Sequence, residues 1–344
     1  MFLTQLRGAP FVISRARYAQ SHERRFLRAL TSSSIPWRAV YQHLMQVALR
    51  DWGDARITLA LDTTLLFKRW CVICVSLVYR GRAIPLSWRV IRHGSSTVGN
   101  QEIYPVLASV QCLLVHLPQV EEVCICADRG FLDHTLMGDF TTFGWQWMIR
   151  GKGPVHLFDQ DGTSLGQFQS QLSHHGQLIV RHGVYVTGKR YGPVNIAAVR
   201  PFGQRDPWFI VSSQPCHTRT FAEYHQRTQV EESFLDLKSG VFNLEETRLE
   251  QAHQLEKLWC VLGLAYLMVL SEGTAVTEHG KRREIDPHWV RGLSYAQMGL
   301  RAIRQALTRR TPVLERLRLS QASDPEPSRR RRSPIGWDVV QGFS

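Results

Sequence analysis

Residues 71–79, CVICVSLVY, are apolar at almost every position, and so are residues 123–127, VCICA. Successive side chains of a strand point to opposite faces of a sheet. A strand apolar on both faces therefore needs cover on both sides, which helices packed on a sheet provide. The surrounding pattern agrees. ITLALD (57–62), CVICVSLVYR (71–80) and AIPLSWRVIR (83–92) read as strands, the last two separated by a short Gly-Arg turn. A helical stretch over roughly 101–117 follows, then the strand EEVCICAD (121–128), a helix from about Phe131 and the strand WQWMIRG (145–151). The order β-β-β-α-β-α-β predicts an α/β fold, a mixed sheet flanked by helices, with its first three strands antiparallel where the turns are tight.

Residues 152–206 leave this alternation. They hold several glycines, the turn-like DQDGTS and short runs such as LIVRHGVYVT (178–187) and VNIAAVR (194–200), which predict a β-rich insertion of about 55 residues between elements of the parent sheet. PWFIVSS (207–213) resumes a core strand, and a helical block runs from Leu249 to about Leu270. Five segments follow: a module at 1–56, a core in two parts at 57–151 and 207–272, the insertion between them, and a region at 273–344.

Charge separates the two ends from the middle. The chain of 344 residues has a formal net charge of +13, which favours a polyanionic partner, nucleic acid before anionic membrane. Residues 1–56 contain nine arginines, no lysine and three acids, in apolar patterns of helical period around 21–30 and 37–52. A DNA-contacting module and a solvated helical hairpin fit that segment equally well. Residues 273–344 hold fourteen Lys or Arg and end in SDPEPSRRRRSP (323–334), a composition expected to be disordered. The most apolar stretch, LWCVLGLAYLMVL (258–270), is shorter than the roughly 18 residues that span a bilayer and reads as a buried helix. No secretion signal is expected at the N-terminus. The seven cysteines lie mostly in apolar runs. Cys71 and Cys74 would point to opposite faces of a strand, so buried free thiols in a reducing cytoplasm are expected rather than a zinc or redox pair.

The chemistry gathers in YHQRTQVEESFLDLK (224–238). Wound as an α-helix, it places Val230, Phe234 and Leu237 on one apolar stripe, with Tyr224, Arg227, Glu231 and Lys238 within an arc of roughly 60° beside it. Glu232 points away, toward solvent. Two strands, ITLALD and VCICAD, end in aspartate at Asp62 and Asp128, and ligands of open α/β sheets collect at carboxyl ends of strands. Asp62, Asp128 and Glu231 are three hard oxygen donors of the kind that hold Mg²⁺ or Mn²⁺. Two such ions can serve an in-line phosphoryl displacement. The nearby cations would hold a phosphodiester. No GxxxxGK[ST] loop occurs, so no nucleotide cofactor is expected.

The spacing Tyr-x2-Arg-x3-Glu-x6-Lys, carried by Tyr224, Arg227, Glu231 and Lys238, resembles the signature of the insertion-sequence-four (IS-four) family of bacterial DDE transposases. LDTT (61–64) and ADRGF (127–131) resemble that family's two aspartate blocks, in the same order. The resemblance covers roughly 57–270. It implies a ribonuclease H-like catalytic domain with two divalent ions on Asp62, Asp128 and Glu231. Tyr224, Arg227 and Lys238, with Arg129, Arg150 and Lys152, would hold DNA. It also implies cutting at transposon terminal repeats through a hairpin intermediate, joining to target DNA, a dimer on DNA, and a cytoplasmic, nucleoid-associated protein. The chain departs from the family in two respects: residues 152–206 contain no tryptophan to stack on a flipped base, which leaves Tyr185, Tyr191 or Phe168, or the nearby Trp145 or Trp147, and the N-terminal region expected to recognise a transposon end is short. A nuclease that only hydrolyses, and a non-catalytic DNA-binding relic, are the competing readings.

Overall fold

The computed structural model describes residues 19–312 except 33, 51, 54, 173, 202–205 and 248, together with 317–319 and 324–326. Residues 1–18 of the basic N-terminal module and the arginine run of the tail lie outside the described residues.

The chain enters through α1 (Ala19–Thr31) and α2 (Trp37–Leu49). It then forms β1 (Arg56–Leu66), β2 (Trp70–Tyr79) and β3 (Arg82–Arg92), followed by α3 (Asn100–Leu114), β4 (Glu122–Ala127), α4 (His134–Thr142) and β5 (Gln146–Arg150). The insertion supplies β6 (His156–Phe158), β7 (Ser164–Gln167), β8 (Leu178–Val186) and β9 (Tyr191–Val199) before β10 (Trp208–Ser212). The helices α5 (Thr220–His225), α6 (Gln229–Leu235), α7 (Ala252–Glu278), α8 (Arg282–Ile285) and α9 (Tyr295–Arg309) complete it.

All ten strands form one sheet in the order β3-β2-β1-β4-β5-β10-β9-β8-β6-β7. β1 to β3 form an antiparallel meander, β4 and β5 run parallel to β1, and β10 returns antiparallel to β5. This mixed sheet flanked by helices is the ribonuclease H-like arrangement. The β-rich insertion extends the same sheet: β9 pairs along β10, and β8 along β9. β2, apolar on both faces, is buried along nearly its whole length, as its composition requires. Cys71 and Cys74 are buried free thiols.

One strand differs from the expectation. β1 does not stop at Asp62 but runs on to Leu66, because Thr63–Leu66 continue the antiparallel ladder with Trp70–Ile73 of β2. Pairing to β4 does stop there, at Leu61 opposite Ala127. Asp62 and Asp128 are therefore the first residues past the end of a shared parallel ladder.

The sheet edge at β3 is covered from both sides. Ser233 Oγ accepts the backbone N–H of Ala83 at 2.6 Å, and Glu256 Oε1 accepts that of Val90 at 3.0 Å. Groups that would otherwise pair with another chain are thereby satisfied by α6 and α7. α7 is long and apolar enough to cross a bilayer by length and composition. Here it is a core helix, with Leu255, Leu258, Trp259, Leu262, Tyr266 and Leu270 buried. Tyr41 of α2 donates its hydroxyl to Pro85 O and meets Trp88 edge-on at 4.8 Å, tying the N-terminal helices to β3.

α7 and α9 approach so closely that a side chain has no room between them. A Cβ on Gly299 would overlap the carbonyl oxygen of Val269, and one on Gly273 that of Tyr295. Gly273→Ala and Gly299→Ala should each lower stability by at least about 1–3 kcal/mol by forcing the helices apart. Thermal unfolding checks this, and an unchanged midpoint would mean that the crossing is looser than described.

Candidate nucleic-acid-processing site

β1, β4 and β5 run parallel, and their register sets three residues side by side beyond their carboxyl ends. Leu61 pairs with Ala127 and Ala127 with Ile149, so Asp62, Asp128 and Arg150 follow in one row across the sheet. Adjacent strands lie about 4.8 Å apart, which brings the two aspartate backbones close although they are far apart in sequence. Tyr224 of α5 donates its hydroxyl to Ala127 O at 3.1 Å, fixing the following helices over the end of β4. Arg150 lies on the ring of Trp208 at 4.6 Å, and that ring meets Tyr224 edge-on at 6.1 Å.

The stretch expected as one regular helix passes through four segments of differing helical winding. α5 passes through a 3₁₀ turn at Gln226–Thr228 into α6, which ends in a π-helical turn at Asp236–Gly240. Its apolar stripe is nevertheless intact, with Val230, Phe234 and Leu237 buried. Arg227 lies in the 3₁₀ turn and is buried. Its guanidinium, 6% exposed, donates to Asp62 Oδ2 at 2.9 Å and to Glu231 Oε1 at 2.6 Å. Asp62 is 16% exposed, whereas Glu231 is 57% exposed, so the cluster opens to solvent on the Glu231 side.

The three carboxylates expected as ligands do not stand as one ready-made set. Among the described residues, no three carboxylate, imidazole or thiol groups stand close enough together to hold a metal ion. A guanidinium bridges two of the three carboxylates, and a buried positive charge is the obvious substitute for a cation there. The donor chemistry still suits a hard divalent ion. All three candidates are carboxylates, and Asp128 Oδ1 is buried without a hydrogen-bond partner among the described residues. The mismatch is one of arrangement, set by the contact from Arg227 to Glu231.

The electrostatics reflect this crowding. Burial raises the Asp62 carboxyl to about 6, with Arg227 and the Thr63 N–H, 2.8 Å away, pulling it down and the charges of Glu231 and Asp128 pushing it up. Burial disfavours the Arg227 charge, but Tyr224, Asp62, Asp128 and Glu231 outweigh it and hold the guanidinium above its ordinary value. Burial pushes the Tyr224 phenol well up, so it is a neutral donor.

The other expected contacts differ in access. Arg129 and Lys152 are exposed beyond the ends of β4 and β5, and Arg150 is half-buried. Lys238 is half-buried in the π-helical turn, 3.9 Å from Glu245, and burial lowers its amine. Tyr224 is enclosed. Of the aromatics considered for stacking on a base, Phe168, Trp145 and Trp147 are buried, while Tyr185 and Tyr191 are half-exposed.

Sequence reasoning missed the support behind Glu231. Asp236 is buried; its Oδ2 accepts from Arg82 Nε at 2.6 Å and from the Tyr266 hydroxyl at 3.0 Å. Tyr266 also reaches Ser233 at 3.2 Å, and Glu232 lies 3.8 Å from Arg82. This network ties α6 to β3 and α7. Ser233 and Asp236 flank the apolar stripe in the sequence, which was the available signal, but their partners lie far away in the chain.

Residues 107–268 match the family described as transposase DDE domain. The matched segment includes Asp128, Tyr224, Arg227, Glu231 and Lys238 and begins beyond Asp62, whose place in the cluster rests on its bond to Arg227 and its register with Asp128. No curated protein matches the chain.

Because the folded-state carboxyl of Asp62 titrates above its ordinary value, folding favours its protonated form. That contribution is present in acid and is lost as the pH rises through about 6. In chelator, the unfolding midpoint of Asp62→Asn relative to the native protein should therefore rise from about pH 4 to about pH 7. A difference independent of pH would show that burial does not burden this carboxylate.

Proposed function

We propose that the chain is a DNA transposase that cuts at the ends of its own element and joins them to target DNA by phosphoryl transfer. The observation that carries this reading is the row of Asp62 and Asp128 at adjacent parallel strand ends, linked to Glu231 through Arg227. The match of residues 107–268 to a transposase DDE domain supports it, as does the charge of +13. The IS-four grouping rests on the spacing of Tyr224, Arg227, Glu231 and Lys238 alone. A cut-and-paste course with a hairpin intermediate, a dimer on terminal-repeat DNA and action in the bacterial cytoplasm belong to the same proposal.

Asp62, Asp128 and Glu231 would hold two Mg²⁺ or Mn²⁺ ions. When bound, these supply activation of the attacking oxygen and charge stabilisation at the phosphate. The chain's own residues do the rest. Arg227 has to release Glu231 for that carboxylate to serve, and its freed fork is then available to a phosphate oxygen. Tyr224 keeps the helix seated at Ala127 and contributes from inside the fold. Arg150, Arg129 and Lys152 lie at or beyond the same strand ends, where a backbone crossing the cluster would meet them. Lys238 lies on the other side of Glu231, with Glu245 as a competitor for its charge.

The test is incubation of the protein with the terminal DNA of its element. Nicks and joined products should form with Mg²⁺ or Mn²⁺, and neither with chelator nor with Ca²⁺. Glu231→Gln should abolish both, and Glu232→Gln, at the exposed neighbour, should leave them largely intact. Cleavage without joining would indicate a hydrolytic nuclease; DNA binding without cleavage, a relic. Full activity in chelator would end the metal assignment.

Lys238→Ala should weaken binding to the same DNA and lower its salt slope by about one, with little dependence on sequence. Unchanged binding at every salt concentration would return Lys238 to the solvated surface.

A further inference from the structure

The region after α7 builds an exposed indole on a stiff support. Trp289 is 81% exposed, although the loop carrying it is tightly tied. The buried guanidinium of Arg282 donates to the carbonyl oxygens of Asp286, His288 and Trp289 at 3.0, 2.8 and 3.2 Å and pairs with Glu326. The buried carboxylate of Asp286 accepts the backbone N–H groups of Gly292 and Leu293 at 2.7 and 3.1 Å. Buried charged groups that bind several loop carbonyls and N–H groups hold the chain in one shape. The one ring contact of Trp289 among the described residues is the guanidinium of exposed Arg283, 4.4 Å from its centroid. Trp289 and its neighbour Val290 are both exposed on this loop, and tryptophan is enriched among the residues that carry binding energy at contact surfaces.

The loop runs directly into α9, whose start is sealed by a capping box at Ser294 and Gln297. Gln297, Arg301, Arg304 and Thr308 form its exposed stripe. Residues 295–312 contain four arginines and no acid, and among the described residues no carboxylate pairs with Arg301 or Arg304. An exposed indole on the loop that leads into a helix of unneutralised guanidinium groups suits a nucleic-acid strand, whose phosphates would meet the cations while an unstacked base meets the ring.

We infer that the loop 286–293 and α9 form a second DNA surface, separate from the acid cluster, which takes a single-stranded or unpaired segment with Trp289 stacked on a base. The surface rests on the reading of the chain as a DNA-acting protein but uses none of the residues of that site.

Binding of the full-length protein in chelator to a short labelled single strand, and to the same sequence as a duplex, tests this by fluorescence anisotropy. Trp289→Ala should weaken single-strand binding about tenfold, with the salt slope and the unfolding midpoint unchanged. Trp289→Phe should recover part of the loss. Arg301→Gln combined with Arg304→Gln should lower the single-strand salt slope by about 1.4. Duplex binding should respond less to the Trp289 changes. Native-like single-strand binding by Trp289→Ala would overturn the inference. So would a fall in sedimenting mass of that variant without loss of DNA binding, which would make the face a protein interface. The two readings fail separately: an enzyme that cuts and joins while Trp289→Ala binds normally loses only this surface, whereas a protein that binds strands through Trp289 but never cuts loses only the transposase.

Discussion

The ion pairs of Arg227 are the constraint on which the rest of the site depends. Two carboxylates from separate elements, Asp62 in the sheet and Glu231 on α6, are held by one nearly buried guanidinium. Removing one partner of a buried pair costs several kcal/mol because it leaves an uncompensated charge. The arginine therefore fixes the helix against the sheet while it neutralises the acids. The same contact occupies Glu231, so under the proposed reading a divalent cation there would have to displace the guanidinium. Glu231 is the exposed member, and its bond is the one that solvent and an incoming charge can replace most cheaply.

Behind this pair stands a second, largely buried polar network. Asp236, Ser233, Tyr266 and Arg82 exchange hydrogen bonds among α6, the π-helical turn, α7 and the sheet edge. Satisfied buried networks of this kind specify one arrangement of the elements they join. The π-helical turn at Asp236–Gly240 lies next to that network, and such irregular turns are found at sites where a helix must place a side chain off its regular period. Lys238 lies in that turn, 3.9 Å from Glu245.

The apolar runs of β2 and β4, the alternation of strands and helices, and the return of a core strand at 207–213 were legible in the sequence because burial on both faces leaves no choice of composition. The element order and the bounds of most strands follow from that alone. The stripe Val230, Phe234 and Leu237 was legible for the same reason, and with it the flank carrying Arg227 and Glu231. Sequence also shows which residue types are present: three acids, a phenol and several cations in the order that resembles DDE transposases.

The tertiary structure decided what those residues do to one another. The extent of β1 past Asp62 depends on its ladder with β2, a pairing between segments that no local pattern dictates. The insertion joined the parent sheet because β9 found the free edge of β10. The helix of the chemistry tightens through a 3₁₀ turn, and Arg227, placed by periodicity beside the carboxylates as a contact for phosphate, bonds to Asp62 and Glu231 instead. Periodicity determines which side of a helix a residue occupies. Whether its charge meets water, a ligand or another side chain is set by what the fold brings opposite it.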